Sequence, residues 1–110
     1  MTASTPLVVL YRWRLHAGME DAFASAWRDA TIALLARGSC GSRLHRGDDG
    51  LWYGYAQWPD AQARSLAFSD PGINPSFVAR MQACVEERLP DILLTPMADL
   101  LRPLPSSIGE

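Results

Sequence analysis

Gly47-Asp48-Asp49-Gly50 stands between two runs of extended-favouring residues, Cys40–Arg46 and Leu51–Trp58. A turn cluster between two such runs predicts a β-hairpin. With a two-residue loop at Asp48-Asp49, Gly47 faces Gly50, His45 faces Trp52 and Arg43 faces Gly54. Side chains alternate along a strand, so Arg43, His45, Trp52, Gly54, Ala56 and Trp58 fall on one face. Leu44, Leu51, Tyr53, Tyr55 and Gln57 fall on the other. The assignment hinges on loop length, because one residue more or less inverts every side chain. The two aspartates are turn residues in this reading, with no third carboxylate nearby in sequence to complete a metal site.

The rest of the chain supplies partners for that hairpin. Leu7–Leu15 (LVVLYRWRL) reads as a strand, with Leu7, Val9, Tyr11, Trp13 and Leu15 on a wholly apolar face. His16-Ala17-Gly18 breaks it. Met19–Arg37 reads as a helix: Glu20 and Asp21 suit its first turn, and Met19, Phe23, Ala26, Trp27, Ala30, Leu34 and Leu35 form one apolar stripe. Arg37 and Gly38 are stop signals. Pro59–Phe68 is a second helical stretch, with Pro59 where a first turn tolerates proline. Ser69-Asp70-Pro71-Gly72 breaks it. Pro75–Leu89 resumes a helix, and Pro90 ends it. Ile92–Arg102 reads as a strand, at an edge or bulged at Pro96, because proline cannot donate to a ladder. The order is strand, helix, strand, strand, helix pair, strand. This is the ferredoxin-like α+β arrangement, a four-stranded antiparallel sheet with helices on one face.

A chain of 110 residues fits one domain spanning 1–110, with an ordered core over 7–102 and loose ends at 1–6 and 103–110. Folding at this size buries about two-thirds of the surface, so an ordinary apolar core suffices without staples. A hydrophobic share of 48% and a charged share of 20% are those of a globular chain. The net charge of −2 gives no pull toward nucleic acid or anionic membranes. All ten basic side chains are arginine, so lysine chemistry is excluded. Cys40 and Cys84 are far apart and form no CxxC, which rules out a disulfide framework or zinc ribbon. The longest early apolar run, Leu7–Tyr11, is cut by Arg12, so neither a signal peptide nor a membrane span is expected, and the expected location is the cytoplasm. No Ser-His-Asp set, HExxH, phosphate loop or metal-spaced His/Cys set is present in the sequence.

The stretch from Tyr11 to Phe68 resembles the antibiotic biosynthesis monooxygenase family of the dimeric α+β barrel group. The resemblance rests on the strand-Gly-helix start with acids after the glycine, on GSRLHR, and on YAQW followed by a helix. It implies a homodimer whose two sheets pack into a barrel, and a pocket between each sheet and its own helices. It also implies oxidation of a phenolic, polycyclic or quinol-type substrate by O₂ with no metal, flavin or haem. The substrate, once deprotonated, is the electron-rich partner of oxygen, and the protein supplies a dry pocket, a hydrogen bond and orientation. Quinone-forming members carry an Asn and, four residues later, a Trp on the strand before the second helix. The Trp matches Trp58, but the Asn position is Gly54, which has no side chain to offer the substrate and instead leaves room. A tyrosine that some members carry early in the second helix is Arg64 here. The haem-degrading relatives use a first-strand Asn, a second-helix Trp and a downstream His, none of which is present.

On the expected register, Arg43, His45, Trp52 and Trp58 line one cavity against Phe23, Trp27 and Met81. His45 is then the candidate base, and Arg43 the group that steadies the anion. Trp58, Trp52, Gly54, Trp27, Phe23 and Met81 are candidate substrate-binding residues for a small aromatic or apolar ligand. Each has a plainer alternative: a surface histidine, a surface ion pair, and core aromatics between sheet and helices. Absence of the Asn at Gly54 leaves open a non-catalytic ligand-binding or scaffold dimer of the same fold. A sheet face carrying Leu44, Leu51, Tyr53 and Tyr55 would be apolar and uncovered, which independently predicts a homodimer, its last strand reaching toward the partner.

Overall fold

The computed structural model describes residues 5–71 and 75–105. Parts of the expected loose ends, 1–4 and 106–110, and the expected break at Gly72 lie outside the described residues. The elements run β1 (Leu7–Leu15), α1 (Glu20–Leu35), β2 (Ser42–Arg46), β3 (Trp52–Trp58), α2 (Ala61–Ser69), α3 (Pro75–Cys84) and β4 (Val85–Leu94). The four strands form one antiparallel sheet in the order β2-β3-β1-β4. This is the expected ferredoxin-like α+β architecture.

Local chemistry explains the element ends. The Asp60 carboxylate accepts from the Ala63 N–H at 2.8 Å and caps α2, so that helix begins after Asp60 rather than at Pro59. The third helix ends five residues earlier than its apolar spacing suggests. At Cys84 the chain passes straight into β4, whose Val85 pairs with Leu15 while the Cys84 carbonyl accepts from the His16 N–H at 2.9 Å. Pairing with β1 along most of its length outweighs the helical pattern of Val85–Leu89, as tertiary context commonly does. The strand stops at Leu94, so its proline is Pro90 and not Pro96. Pro90 lies on an edge strand where the ladder slips between Leu10 and Arg12, as its missing N–H requires.

The hairpin register differs from the two-residue expectation. Arg46 pairs with Trp52, His45 with Tyr53, Leu44 with Gly54 and Arg43 with Tyr55. The Gly47 N–H donates to the Leu51 carbonyl at 2.7 Å, so the loop holds three residues, Asp48 to Gly50. Gly50 has φ of 85°, the left-handed closing residue that three-residue hairpin loops use. One added loop residue moves Arg43 and His45 to the opposite face from Trp52, Gly54 and Trp58.

That register sorts the two faces. Leu7, Val9, Tyr11, Trp13, Leu44, Trp52, Gly54, Ala56 and Trp58 face the helices, and Val9, Trp13, Ala56 and Trp58 are buried there. The core has two centres. One joins Val9, Trp58 and Ala67; the other joins Trp13, Phe23 and Cys84; Tyr11 packs against both. Arg37 Nε donates to Asp70 at 2.7 Å, tying the end of α1 to the end of α2, and Arg80 Nη1 donates to Asp29 at 2.9 Å, tying α3 to α1.

The open face carries Val8, Leu10, Tyr55, Ile92 and Leu94 toward one end and Arg12, Arg14, Arg43, His45 and Tyr53 toward the other. Leu44, expected there, packs instead into the helix-side core, and Leu51 is buried where it pairs with Gly47 to close the hairpin loop. Among the described residues, no helix is long and apolar enough to cross a membrane.

The hairpin has its own pH signature. The Tyr53 hydroxyl donates to the Asp49 carboxylate, and the Leu51 N–H donates to it as well, at 2.9 Å. Those bonds hold Asp49 below its ordinary 3.8, with the tyrosine bond the larger cause. The same bond raises Tyr53 above 10.0. A lowered carboxyl stabilises the fold above its unfolded pKa, and that stabilisation is lost as pH falls through the folded value. A raised phenol does so below 10.0, and loses it as pH rises through the folded value. The stability difference between the unaltered protein and Tyr53→Phe is therefore expected to be constant near neutrality and to shrink below about pH 4 and above about pH 10. Urea unfolding across that range measures it. A difference flat through both ends would show that the pair contributes nothing.

Candidate functional site

The helix-covered face of β1 and β3 is an aromatic surface. The Trp13 and Phe23 rings meet edge-on with centroids 5.0 Å apart, and Phe23 meets Trp52 edge-on at 6.4 Å. Trp27 and Met81 pack against the same centre. Gly54 lies directly across from Tyr11 on β1. A Cβ on Gly54 would stand 2.9 Å from Trp13 Cη2. The room expected from the missing side chain is therefore filled by the Trp13 ring, which crosses β3 at the only residue type that lets it pass.

Trp58 occupies the second centre. It is 2% exposed, packed with Val9 and Ala67, and its ring lies 5.8 Å from Phe68. Its Nε1–H is buried with no acceptor among the described residues. A buried donor without a partner costs about 1–3 kcal/mol, so native chains rarely carry one without a use for it.

The structure brings Phe23, Trp27, Trp52 and Met81 together, sets Gly54 beside them, and places Trp58 in the adjoining centre. Arg43 and His45 are not with them. On the open face, Arg43 Nε donates to His45 Nε2 at 3.1 Å. An accepting Nε2 requires the imidazole to carry its proton on Nδ1. The single cavity expected to join these two residues to Trp52 and Trp58 is thus divided by the sheet itself.

Sequence reading missed a polar cluster at the junction of the two aromatic centres. Arg64 of α2 donates through Nε to the Tyr11 hydroxyl at 3.1 Å, and its Nη2 lies 3.4 Å from Asp91 Oδ2. Arg88 Nη2 donates to both Asp91 oxygens at 3.1 Å. Both guanidinium groups lie near the Tyr11 ring, at 5.6 and 5.8 Å from its centroid, and Arg64 also lies 5.5 Å from the Phe68 centroid. Tyr11 in turn stacks on Trp13 at 5.9 Å. The residues span positions 11 to 91, and no local spacing links them; the tyrosine-for-arginine difference at Arg64 was the one available signal.

Two open hollows lie away from this cluster. One, of about 420 Å³, is bounded by Pro6, Leu7, Asp60, Gln62 and Thr95. The other, of about 300 Å³, lies on the open sheet face beneath the chain that follows β4, against Val8, Tyr55, Gln57, Pro96 and Leu101. Among the described residues, no three His, Cys, Asp or Glu side chains gather as metal ligands. Both cysteines are free, Cys84 buried and Cys40 exposed.

The chain has the fold of the antibiotic biosynthesis monooxygenases. SnoaB, a cofactor-independent oxygenase from Streptomyces nogalater, superposes with a TM-score of 0.75 at 20% identity, over 90% of this chain and 100% of that one. A candidate antibiotic biosynthesis monooxygenase from Chloroflexus aurantiacus gives 0.73 at 10% identity, over 86% and 96%. PA3566 from Pseudomonas aeruginosa gives 0.71 at 22% identity, over 89% and 100%. No protein-family model matches the sequence, and no curated protein matches it.

Proposed function

We propose that the chain is a cofactor-independent monooxygenase acting on a phenolic, polycyclic or quinol-type molecule at the helix-covered face of its sheet. The observation that carries this reading is the buried, unpartnered Nε1–H of Trp58 among apolar rings, in a fold shared with a cofactor-independent oxygenase. A substrate oxygen accepting from that N–H gives the donor its missing partner. Trp58 and Phe68 form the wall for a flat ring, and the apolar surroundings keep water from the anion. The overall change for an anthrone is balanced: a ring CH₂ and O₂ give a ring carbonyl and water. The test is oxygen uptake by chelator-treated protein with a panel of hydroxylated anthrones and quinols. We expect one O₂ consumed per substrate oxidised, and a loss of about tenfold or more in Trp58→Phe, which keeps an aromatic ring but lacks the N–H. Uptake no faster than in buffer for the whole panel overturns the reading.

The second reading is a ligand-binding or scaffold dimer without turnover. It is favoured by the Trp13 ring in the room beside Gly54. Ligand-induced thermal stabilisation without oxygen consumption would support it.

The same proposal includes a homodimer in the cytoplasm with no nucleic-acid partner. Leu10, Tyr55, Ile92 and Leu94 leave apolar surface on the open face, and Met97, Leu100 and Leu101 add exposed apolar side chains beyond β4. Two-fold pairing of such faces is the commonest way to cover them. Sedimentation equilibrium at micromolar concentration is expected to give twice the chain mass, and a monomer mass removes this part of the proposal.

A further inference from the structure

We propose that Arg64, beside Tyr11 and oriented by Asp91, is a specificity residue that binds a carboxylate carried by a planar aromatic ligand. The inference deepens the oxygenase reading by placing an ionised group on its substrate.

Charge is the first argument. Two guanidinium groups converge on Tyr11, and among the described residues Asp91 is the carboxylate paired with both. Asp91 gives both its oxygens to Arg88 at 3.1 Å and only a long 3.4 Å contact to Arg64. The cluster therefore carries one positive charge more than it neutralises, and the less satisfied cation is Arg64. Its Nε is engaged with the Tyr11 hydroxyl, while its Nη1 donates to no described residue. Guanidinium is always charged, and its planar fork matches a carboxylate. Asp91 itself demonstrates that fit from within the chain.

Surroundings are the second argument. The Arg64 side chain is 26% exposed, so a ligand can reach it. Phe68 stands on one side of it, 52% exposed and against Trp58. Leu93, two residues beyond Asp91 on the same face of β4 and across from Val9, is 61% exposed. A cation beside an exposed aromatic ring, on a helix-side face whose edge strand also exposes Leu93, suits a flat apolar body with a negative group at its edge. A surface ion pair alone would leave the exposed Phe68 ring against Arg64 unexplained.

The test is calorimetric binding of 2-naphthoate and of its neutral isostere 2-naphthamide, with no oxygen chemistry required. The unaltered protein is expected to prefer the carboxylate by about tenfold, the scale of one charge-assisted hydrogen bond in a half-exposed place. Arg64→Met is expected to erase the preference while leaving naphthamide affinity within about twofold. Asp91→Asn is expected to strengthen naphthoate binding several-fold, because a competing carboxylate is gone. A purely structural role for the Arg64–Asp91 pair moves melting temperature in both variants and leaves the naphthoate-to-naphthamide ratio alone. Equal affinity for the two probes in the unaltered protein, or a ratio unchanged in Arg64→Met, overturns the inference. If Arg64→Met fails to fold, Asp91→Asn decides: naphthoate affinity unchanged or weakened overturns it. Preserved carboxylate preference with no oxygen uptake on any substrate would refute the oxygenase reading and leave this site standing.

Discussion

Trp58→Ala is expected to lower the free energy of unfolding by about 3–5 kcal/mol, the usual cost of deleting a large buried ring. Trp58 is 2% exposed, and its neighbours Val9 and Ala67 are as deeply buried, so the hole has no short route to collapse. Trp58→Phe separates ring from donor. The smaller ring leaves a modest void costing about 1 kcal/mol, while removing an unpartnered buried N–H returns about 1–3 kcal/mol. The two offset, and Trp58→Phe is expected to be about as stable as the unaltered protein. Its oxygen consumption should nevertheless fall, since the donor is what it lacks. Urea unfolding of both variants, set beside their oxygen uptake, makes the comparison. A Phe variant as unstable as the Ala variant would mean that the N–H is satisfied in the fold and is not held for a ligand.

The elements were legible in the sequence because their signals are local. Alternation in LVVLYRWRL, the stripe of α1 and the punctuation at Gly18, Gly38 and Pro59 each act within a few residues, and the structure follows them closely. Two features were set by forces that sequence spacing does not carry. The run Val85–Leu89 fits a helix as well as a strand, and pairing with Leu15 to Arg12 decides it. The hairpin turns on whether Gly50 belongs to the strand or to the loop. Its left-handed backbone puts it in the loop, and that single residue carries Arg43 and His45 through to the other side of the sheet. The site was legible only in part for the same reason. Phe23, Trp27, Trp52 and Met81 meet because helix and strand periodicities both aim them inward. Arg64 reaches Tyr11 across 53 positions, and only the packing of α2 on the sheet establishes that contact.

The second large effect concerns Gly54 and Trp13, and it tests whether the helix-side room is occupied as described. Gly54→Asn puts a Cβ 2.9 Å from Trp13 Cη2 and 3.1 Å from Cζ3. Trp13 is buried and held by Phe23 on one side and Tyr11 on the other, so its ring cannot simply turn aside. Crowding of a packed core costs about 1–3 kcal/mol, and a buried amide without partners costs a similar amount. Together Gly54→Asn is expected to lose about 2–5 kcal/mol. Trp13→Leu alone removes most of a large ring and is expected to cost about 3 kcal/mol. In the double variant the smaller side chain leaves the space that the asparagine needs, so the losses do not add. A coupling energy of about 1–3 kcal/mol in the stabilising direction is expected from the cycle. Urea denaturation of the four proteins measures it. Additivity within about 0.5 kcal/mol would mean that Trp13 does not fill the space beside Gly54. The room there would then be open to a ligand, and the filled room would no longer speak against turnover.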